Sequence, residues 1–196
     1  MIAIVDYGMG NLRSVEKGFN KVGVDATVTS SPNVIDNADA IVLPGVGAFG
    51  DCIKNLSSLS LTESLIKSIE KGKPYLGICL GLQVLFSESD EFGKYRGLDV
   101  FSGKVIKFQF ADFEKKVPHM GWNNINIIKK PPILSEIPDN AFFYFVHSFY
   151  VVPDDSKIIA ATTDYGITFT SMIWKDNVFA TEFHPEKSQE LGLKLL

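Results

Sequence analysis

At 196 residues with 45% hydrophobic content, the chain can bury one sizeable core and is short for two, so a single domain over residues 1–196 is expected. The formal charge of -4, with Lys and Arg scattered along the sequence, argues against a surface that grips nucleic acid. Two cysteines without CxxC spacing exclude a disulfide framework and a structural zinc site, and no apolar run nears the ~18 residues that cross a membrane, so a soluble cytoplasmic protein without metal or cofactor is expected.

Ile2 to Asp6 reads as a strand. Asn11 then caps a helix whose Leu12, Val15, Phe19 and Val22 share one face, and Gly23 closes it. Strands over Ala26–Thr29 and Ala40–Leu43 follow at βαβ spacing, and the latter breaks at Pro44-Gly45-Val46-Gly47. Ser60 and Glu63 have capping-box spacing ahead of Leu61, Leu65, Ile66 and Ile69, a helix that runs out at Lys71-Gly72. Pro74 to Ile78 is the fourth strand, and Leu80 to Phe86 has the makings of a helix.

Beyond Phe86 the texture changes. Val100–Phe108, Ile125–Ile128, Ala141–Val146, Lys157–Thr163 and Thr168–Lys175 are β-rich, and Tyr165-Gly166 and Asp176-Asn177 sit at hairpin spacing. The expectation is an α/β fold with a mixed, mainly parallel central sheet, flanked by helices and extended by antiparallel strands. Glu190 to Leu196 closes the chain as a short helix.

Cys79 stands where the fourth strand meets the helix, within Gly77-Ile78-Cys79-Leu80-Gly81. A sharp strand-to-helix turn pushes such a side chain outward, and a Cβ two residues to either side would crowd it. The helix start would favour thiolate, and the Leu80 N–H would face a developing oxyanion. Taken alone, Cys79 reads equally well as a small buried hydrophobe. Cys52, in a helical stretch after Phe49-Gly50-Asp51, reads as core.

A cysteine hydrolase needs a histidine base held by a third group. Among His119, His147 and His184, only His184 has a carboxylate two residues on, Glu186, which an extended segment would place on the same side. Pro185 between them holds the backbone out of a helix.

Gly77-Ile78-Cys79-Leu80-Gly81-Leu82-Gln83 and Phe183-His184-Pro185-Glu186-Lys187-Ser188 together resemble the paired signatures of class I, triad-type glutamine amidotransferases. Pro44-Gly45-Val46-Gly47-Ala48-Phe49-Gly50, Val117-Pro118-His119-Met120-Gly121-Trp122-Asn123 and Tyr144-Phe145-Val146-His147-Ser148-Phe149-Tyr150 narrow the resemblance to the glutaminase subunits of imidazole glycerol phosphate synthase. The resemblance covers nearly the whole chain and implies a flavodoxin-like fold. It gives Cys79, His184 and Glu186 the catalytic roles and makes glutamine the substrate. It assigns the oxyanion site to Gly45, Val46, Gly47 and Leu80, and glutamine binding to Gln83, Ser148, Phe149 and Tyr150. It also implies a heterodimer with a (β/α)₈ cyclase that takes up the ammonia, with Asn11, Trp122 and Lys187 at the interface. The Gly45-Val46-Gly47 loop is then expected to act as a switch, idle alone and competent with the partner docked.

Asn11 also reads as a helix cap, Trp122 as core and Lys187 as a solvated charge. Glu182 departs from the family pattern, where glutamine is usual. It is expected to pair with a cation or face the partner, and a position close enough to bias the base electrostatically is the other reading. Three other functions compete: a paralogous glutaminase feeding another synthase, such as one that amidates a sugar; a binding module that keeps only the fold; and a thiol peptidase or redox sensor on a similar elbow.

Overall fold

In the computed structural model of the protein, which describes residues 1–110 and 115–196, the first half alternates strands and helices as expected. Strands β1 (Ile2–Val5), β2 (Ala26–Thr29), β3 (Ala40–Gly45) and β4 (Tyr75–Cys79) pair in parallel in the order β2-β1-β3-β4. The intervening helices are α1 (Leu12–Lys21), α2 (Pro32–Asn37), α3 (Phe49–Ser58) and α4 (Leu61–Glu70). Alternation along the strands divides the core. Ala3, Val5, Ile41 and Leu43 pack with Ile35, Leu56, Leu61 and Leu65 from α2 to α4, while Ile4 and Val42 pack with Val15 and Phe19 of α1 on the opposite face.

After β4 come the one-turn α5 (Leu80–Gln83) and the strands β5 (Phe86–Ser89), β6 (Tyr95–Arg96), β7 (Phe101–Lys107), β8 (His119–Asn124), β9 (Asn126–Ile127), β10 (Phe142–His147), β11 (Phe149–Pro153), β12 (Ile159–Asp164), β13 (Thr168–Lys175) and β14 (Val178–Thr181), then α6 (Gln189–Leu195). β14 inserts beside β4 in parallel, and the main sheet runs on through β13, β11, β7, β5 and β6. Both expected hairpins form, β12 with β13 around Tyr165-Gly166 and β13 with β14 around Asp176-Asn177. The sheet is mixed, with its parallel part centred on β1, β3, β4 and β14. Among the described residues no helix is long and apolar enough to cross a membrane.

Several local expectations are corrected. Ser60 makes no capping bond: only Leu59 and Ser60 separate α3 from α4, which holds Ser60 at φ 57°, and Glu63 pairs with Lys67 instead, at 2.6 Å. Asn11 begins α1 without a side-chain cap bond, and Val22, past the last helical residue, is 40% exposed. The helix after Cys79 stops at Gln83, because Phe86 is taken by the sheet opposite Phe101. The β-rich second half does not all extend one sheet. β8 and β10 form a separate two-stranded sheet, whose inward Phe143 and Phe145 pack on Phe169 and Phe183.

Gly81 sits where α5 passes over β3. A Cβ there would meet the Leu43 carbonyl, backbone held in the sheet that cannot move aside. Gly81→Ala should therefore lower stability by about 1–3 kcal/mol, the usual cost of overpacking a closed core. A urea midpoint equal to that of the wild type would contradict this close approach.

Candidate active site

The parallel register brings two distant segments to one end of the sheet. Gly45 lies opposite Cys79, and Thr181 lies opposite Ile78, so the residues that follow β14 emerge beside the cysteine. Cys79 itself has φ 54° and ψ -109°, a conformation that costs a non-glycine residue about 1–3 kcal/mol. The two glycines around it fit the steric reading: a Cβ on Gly77 would meet the Gly81 carbonyl, as one on Gly81 would meet that of Leu43.

A cavity of about 400 Å³ opens over this elbow, lined by Val46, Gly47, Cys79, Leu80, Gln83, Glu91, Pro118, Val146, His147, Ser148, Phe149 and Lys187. Of the residues expected to bind glutamine, Gln83, Ser148 and Phe149 are therefore on its wall. Tyr150 lines a neighbouring groove with Phe92, Lys107 and Ile167, its ring 4.7 Å from that of Phe108. Gly45 is buried under the elbow, and Gly47 has φ 98°, a conformation open to glycine and rare for other residues.

His184 is 2% exposed and its Nδ1–H donates to Glu186 Oε1 at 2.8 Å. Its Nε2 is buried without a hydrogen-bond partner among the described residues, which leaves a lone pair free for a proton. Cys79 is not the thiolate that its place at a helix start suggested. Burial pushes its thiol well up, the carboxyl groups of Glu182 and Glu186 add to this, and the Leu80 N–H and Lys187 oppose it only in part. One turn of helix is too short to build the dipole that the sequence reading assumed.

Glu182 also departs from expectation. It is fully buried, paired with no cation among the described residues, and its Oε1 accepts from Gln83 Nε2 at 2.7 Å. Burial raises its carboxyl well above the usual range. The 3.6 Å separation from His147 Nδ1 is not an ion pair, because burial favours the neutral form of both groups.

His147, set aside in sequence because no carboxylate follows it, belongs to a buried chain of neutral donors. The Phe149 carbonyl can only accept, so His147 Nδ1 carries the proton that it donates at 2.8 Å. His147 Nε2 must then accept from His119 Nδ1–H at 2.9 Å, and His119 Nε2 accepts from the Asn123 amide at 3.2 Å. Aromatic rings enclose the pair, with Tyr165 at 4.1 Å and Phe145 at 4.8 Å from the His119 ring. Alternation along Tyr144–His147 was the available signal, since it put His147 on the face of Phe143 and Phe145.

The expected interface residues lie in different settings. Trp122 is 47% exposed and edge-on to Tyr144, Lys187 Nζ lies 5.7 Å from the Tyr144 ring centre, and Asn11 is exposed at the start of α1.

A family model described as glutamine amidotransferase class-I matches residues 3–194. The chain is 54% identical to the imidazole glycerol phosphate synthase subunit HisH of Syntrophotalea carbinolica, over all of this chain and 97% of that one. It is 52% identical to the subunit of the same name from Aquifex aeolicus, over 98% of this chain and 92% of the other. Among solved structures, PurLQS from Thermotoga maritima superposes with a TM-score of 0.75 at 18% identity, covering 99% of this chain and 94% of that one. The glutaminase domain of Trypanosoma brucei CTPS superposes at 0.67 and 17%, covering 99% and 91%. At these identities the solved structures speak for the fold.

Burial lowers His119 to about 4 and His147 to about 3, with Lys115 reinforcing the first and the neighbouring imidazoles the second. The unfolded chain takes up these protons near pH ~6.5 and the folded chain refuses them, so stability should fall as pH drops from there towards the folded values. His119→Asn keeps a donor for His147 and cannot titrate. Its urea midpoint should lose less over that pH range, and an equal loss would count against the neutral pair.

Proposed function

The chain belongs to the class-I glutamine amidotransferases and, within them, to the HisH subunits of imidazole glycerol phosphate synthase, and we propose that Cys79, His184 and Glu186 carry out its hydrolysis of glutamine to glutamate and ammonia. Cys79 Sγ attacks the carboxamide carbon while the thiol proton passes to His184 Nε2. His184 returns that proton to the leaving ammonia, a glutamyl thioester remains on Cys79, and a water deprotonated by His184 hydrolyses it. Glu186 keeps the proton on Nδ1, so that Nε2 is the basic nitrogen throughout. Burial keeps the resting sulfur protonated, so its deprotonation is coupled to glutamine binding and attack.

The observation that carries this reading is the pair of adjacent parallel strands β4 and β14: β4 ends in the strained Cys79, and the segment that follows β14 carries His184, whose buried Nε2 has no hydrogen-bond partner among the described residues. The Leu80 N–H is one oxyanion donor, and a peptide of Gly45-Val46-Gly47 turned inward supplies the other. Gln83, Ser148 and Phe149 receive the glutamine, with Tyr150 supporting their strand from the neighbouring groove.

We place the partner, a (β/α)₈ cyclase, on the outer face of the β8–β10 sheet, where Met120, Trp122 and Phe142 are 62%, 47% and 56% exposed. Lys187 and Asn11 complete the contact, and ammonia leaves the cavity past Lys187. The cyclase joins that ammonia to its nucleotide substrate, giving imidazole glycerol phosphate and an aminoimidazole carboxamide ribotide for histidine synthesis in the cytoplasm. The names of the full-length relatives favour this over a synthase that amidates a sugar.

Cys79→Ala should abolish ammonia release from glutamine yet leave the cyclase reaction driven by added ammonia intact. Glu186→Gln should lower kcat by roughly 10²- to 10⁴-fold, the range for losing acid–base function. Activity retained by either variant would remove the triad. Single-turnover acylation of Cys79 should be at least about tenfold faster with the cyclase bound, which corresponds to ~1.4 kcal/mol of barrier. Equal rates would remove the Gly45-Val46-Gly47 switch.

A further inference from the structure

The buried imidazoles of His119 and His147 have no part in the proposed mechanism, yet they belong to a run of hydrogen bonds that ends on the wall of the cavity. At its outer end, on β8, the Asn123 amide has one orientation. Its Nδ2 donates to the Asp164 carbonyl at 2.8 Å, and its Oδ1 accepts from the Asn124 N–H at 2.9 Å. Nδ2 is therefore the atom that donates to His119 Nε2 at 3.2 Å. The His119 proton then sits on Nδ1, which donates to His147 Nε2 at 2.9 Å, and His147 Nδ1–H donates to the Phe149 carbonyl at 2.8 Å.

The inner end gives the same direction independently, because a carbonyl can only accept. Two side-chain donors meet on the Phe149 oxygen, His147 Nδ1 at 2.8 Å and Gln83 Nε2 at 3.3 Å. Gln83 Nε2 also donates to Glu182 Oε1 at 2.7 Å, so both amide hydrogens are committed and Gln83 can offer a ligand only its oxygen. Gln83, His147, Ser148 and Phe149 all line the cavity over Cys79. Packing alone does not call for such a chain. The His147 ring lies 5.2 Å from the rings of Phe108 and Phe169, where a phenyl ring would fill the same space and leave no buried nitrogen to satisfy. The polar chain instead delivers its last donor to the carbonyl that Gln83 shares.

We propose that His119 and His147 are positioning residues for glutamine: the one-way chain from Asn123 fixes the Phe149 carbonyl, and with it the Gln83 amide, before the substrate enters. The inference rests on the cavity being the glutamine site. His147 supplies the shorter of the two bonds to the Phe149 oxygen and so sets where that oxygen points. His119 acts one step further back. Its donation occupies His147 Nε2 and so keeps the His147 proton on Nδ1, the nitrogen that faces the carbonyl. Without these donors the wall would have to be ordered by glutamine itself, and binding would weaken by the cost of that ordering. The nucleophile and its base are untouched by the chain, so sulfur chemistry that needs no glutamine contacts should survive its loss.

The test compares two reagents at Cys79 of the full-length protein, read by mass spectrometry. A chloromethyl ketone analogue of glutamine must seat in the cavity before sulfur displaces chloride, whereas iodoacetamide loses iodide to the same sulfur without the glutamine contacts. In His147→Phe, labelling by the ketone below saturation should slow at least about tenfold, while labelling by iodoacetamide changes less than about threefold. His147→Asn, whose amide can still donate towards the Phe149 carbonyl, should recover most of the loss. His119→Phe should slow the ketone selectively by at least about threefold, and His119→Asn, which keeps a donor for His147, should restore it. In glutamine hydrolysis with the cyclase bound, the defect of His147→Phe should appear mainly as a raised KM. Equal ketone rates in wild type and His147→Phe would overturn the positioning role. An equal loss with both reagents would overturn it too, since the imidazoles would then support the elbow and not the substrate. If excess glutamine fails to protect wild-type Cys79 from the ketone, the cavity is not the glutamine site and the role of both imidazoles falls with it. Should His147→Phe not fold, the two His119 variants decide by the same criterion.

Discussion

The site depends on how closely three strands run at their carboxyl ends. β3, β4 and β14 are parallel neighbours, and Gly81 lets α5 start against the Leu43 carbonyl with no side chain between. That contact forces the chain to turn within one residue of β4, which leaves Cys79 in its high-energy conformation with the sulfur at the cavity. The strain is balanced by burial of Ile78, Leu80 and Leu82 on either side, all at most 2% exposed. A looser turn would relax the cysteine and at the same time withdraw it from the segment after β14. Geometry at the elbow and the placement of Cys79 beside the segment after β14 are therefore one constraint.

A second feature follows from burial and not from topology. Cys79, Glu182, His119 and His147 are all driven towards their neutral forms by desolvation. These four groups carry no charge at rest, and charge that develops on sulfur or on a carboxamide oxygen meets little water. The same burial withholds reactivity, because a protonated thiol is a poor nucleophile.

The sequence carried the parallel half of the fold because its periodicities are local: period-two runs, a 3.6-residue apolar face on α1 and glycines where strands stop. The elbow was legible for the same reason, since Gly77 and Gly81 answer to contacts a few residues away and to one strand beside them. What escaped was set by tertiary pairing. Phe86 is as suited to a helix as to a strand, and Phe101 decides the matter. The position of Glu182 relative to His184 carries no sign that Gln83, distant in sequence, supplies its hydrogen bond. The sequence neighbours of His147 say little of its role, because its tautomer is dictated by Phe149 and His119.

The β8–β10 pair divides its residues between an exposed face, the proposed docking surface, and a buried face that holds two neutral imidazoles. In an antiparallel pair, opposed residues share a face and alternate residues change face. His119 with His147 and Asn123 with Phe143 point inward, as does Phe145 opposite Gly121, while Met120 with Val146 and Trp122 with Tyr144 point outward. Under the proposed docking, the outward Met120 is joined through the backbone to His119, whose Nδ1–H donates to His147. A small shift of β8 would then act on the His119–His147 bond directly, with no intermediate element to absorb it. The same alternation separates two demands on the sequence. Outward positions are free to follow the shape of a partner, and inward positions are held by ring packing and by a hydrogen-bond direction that only one tautomer of each imidazole satisfies.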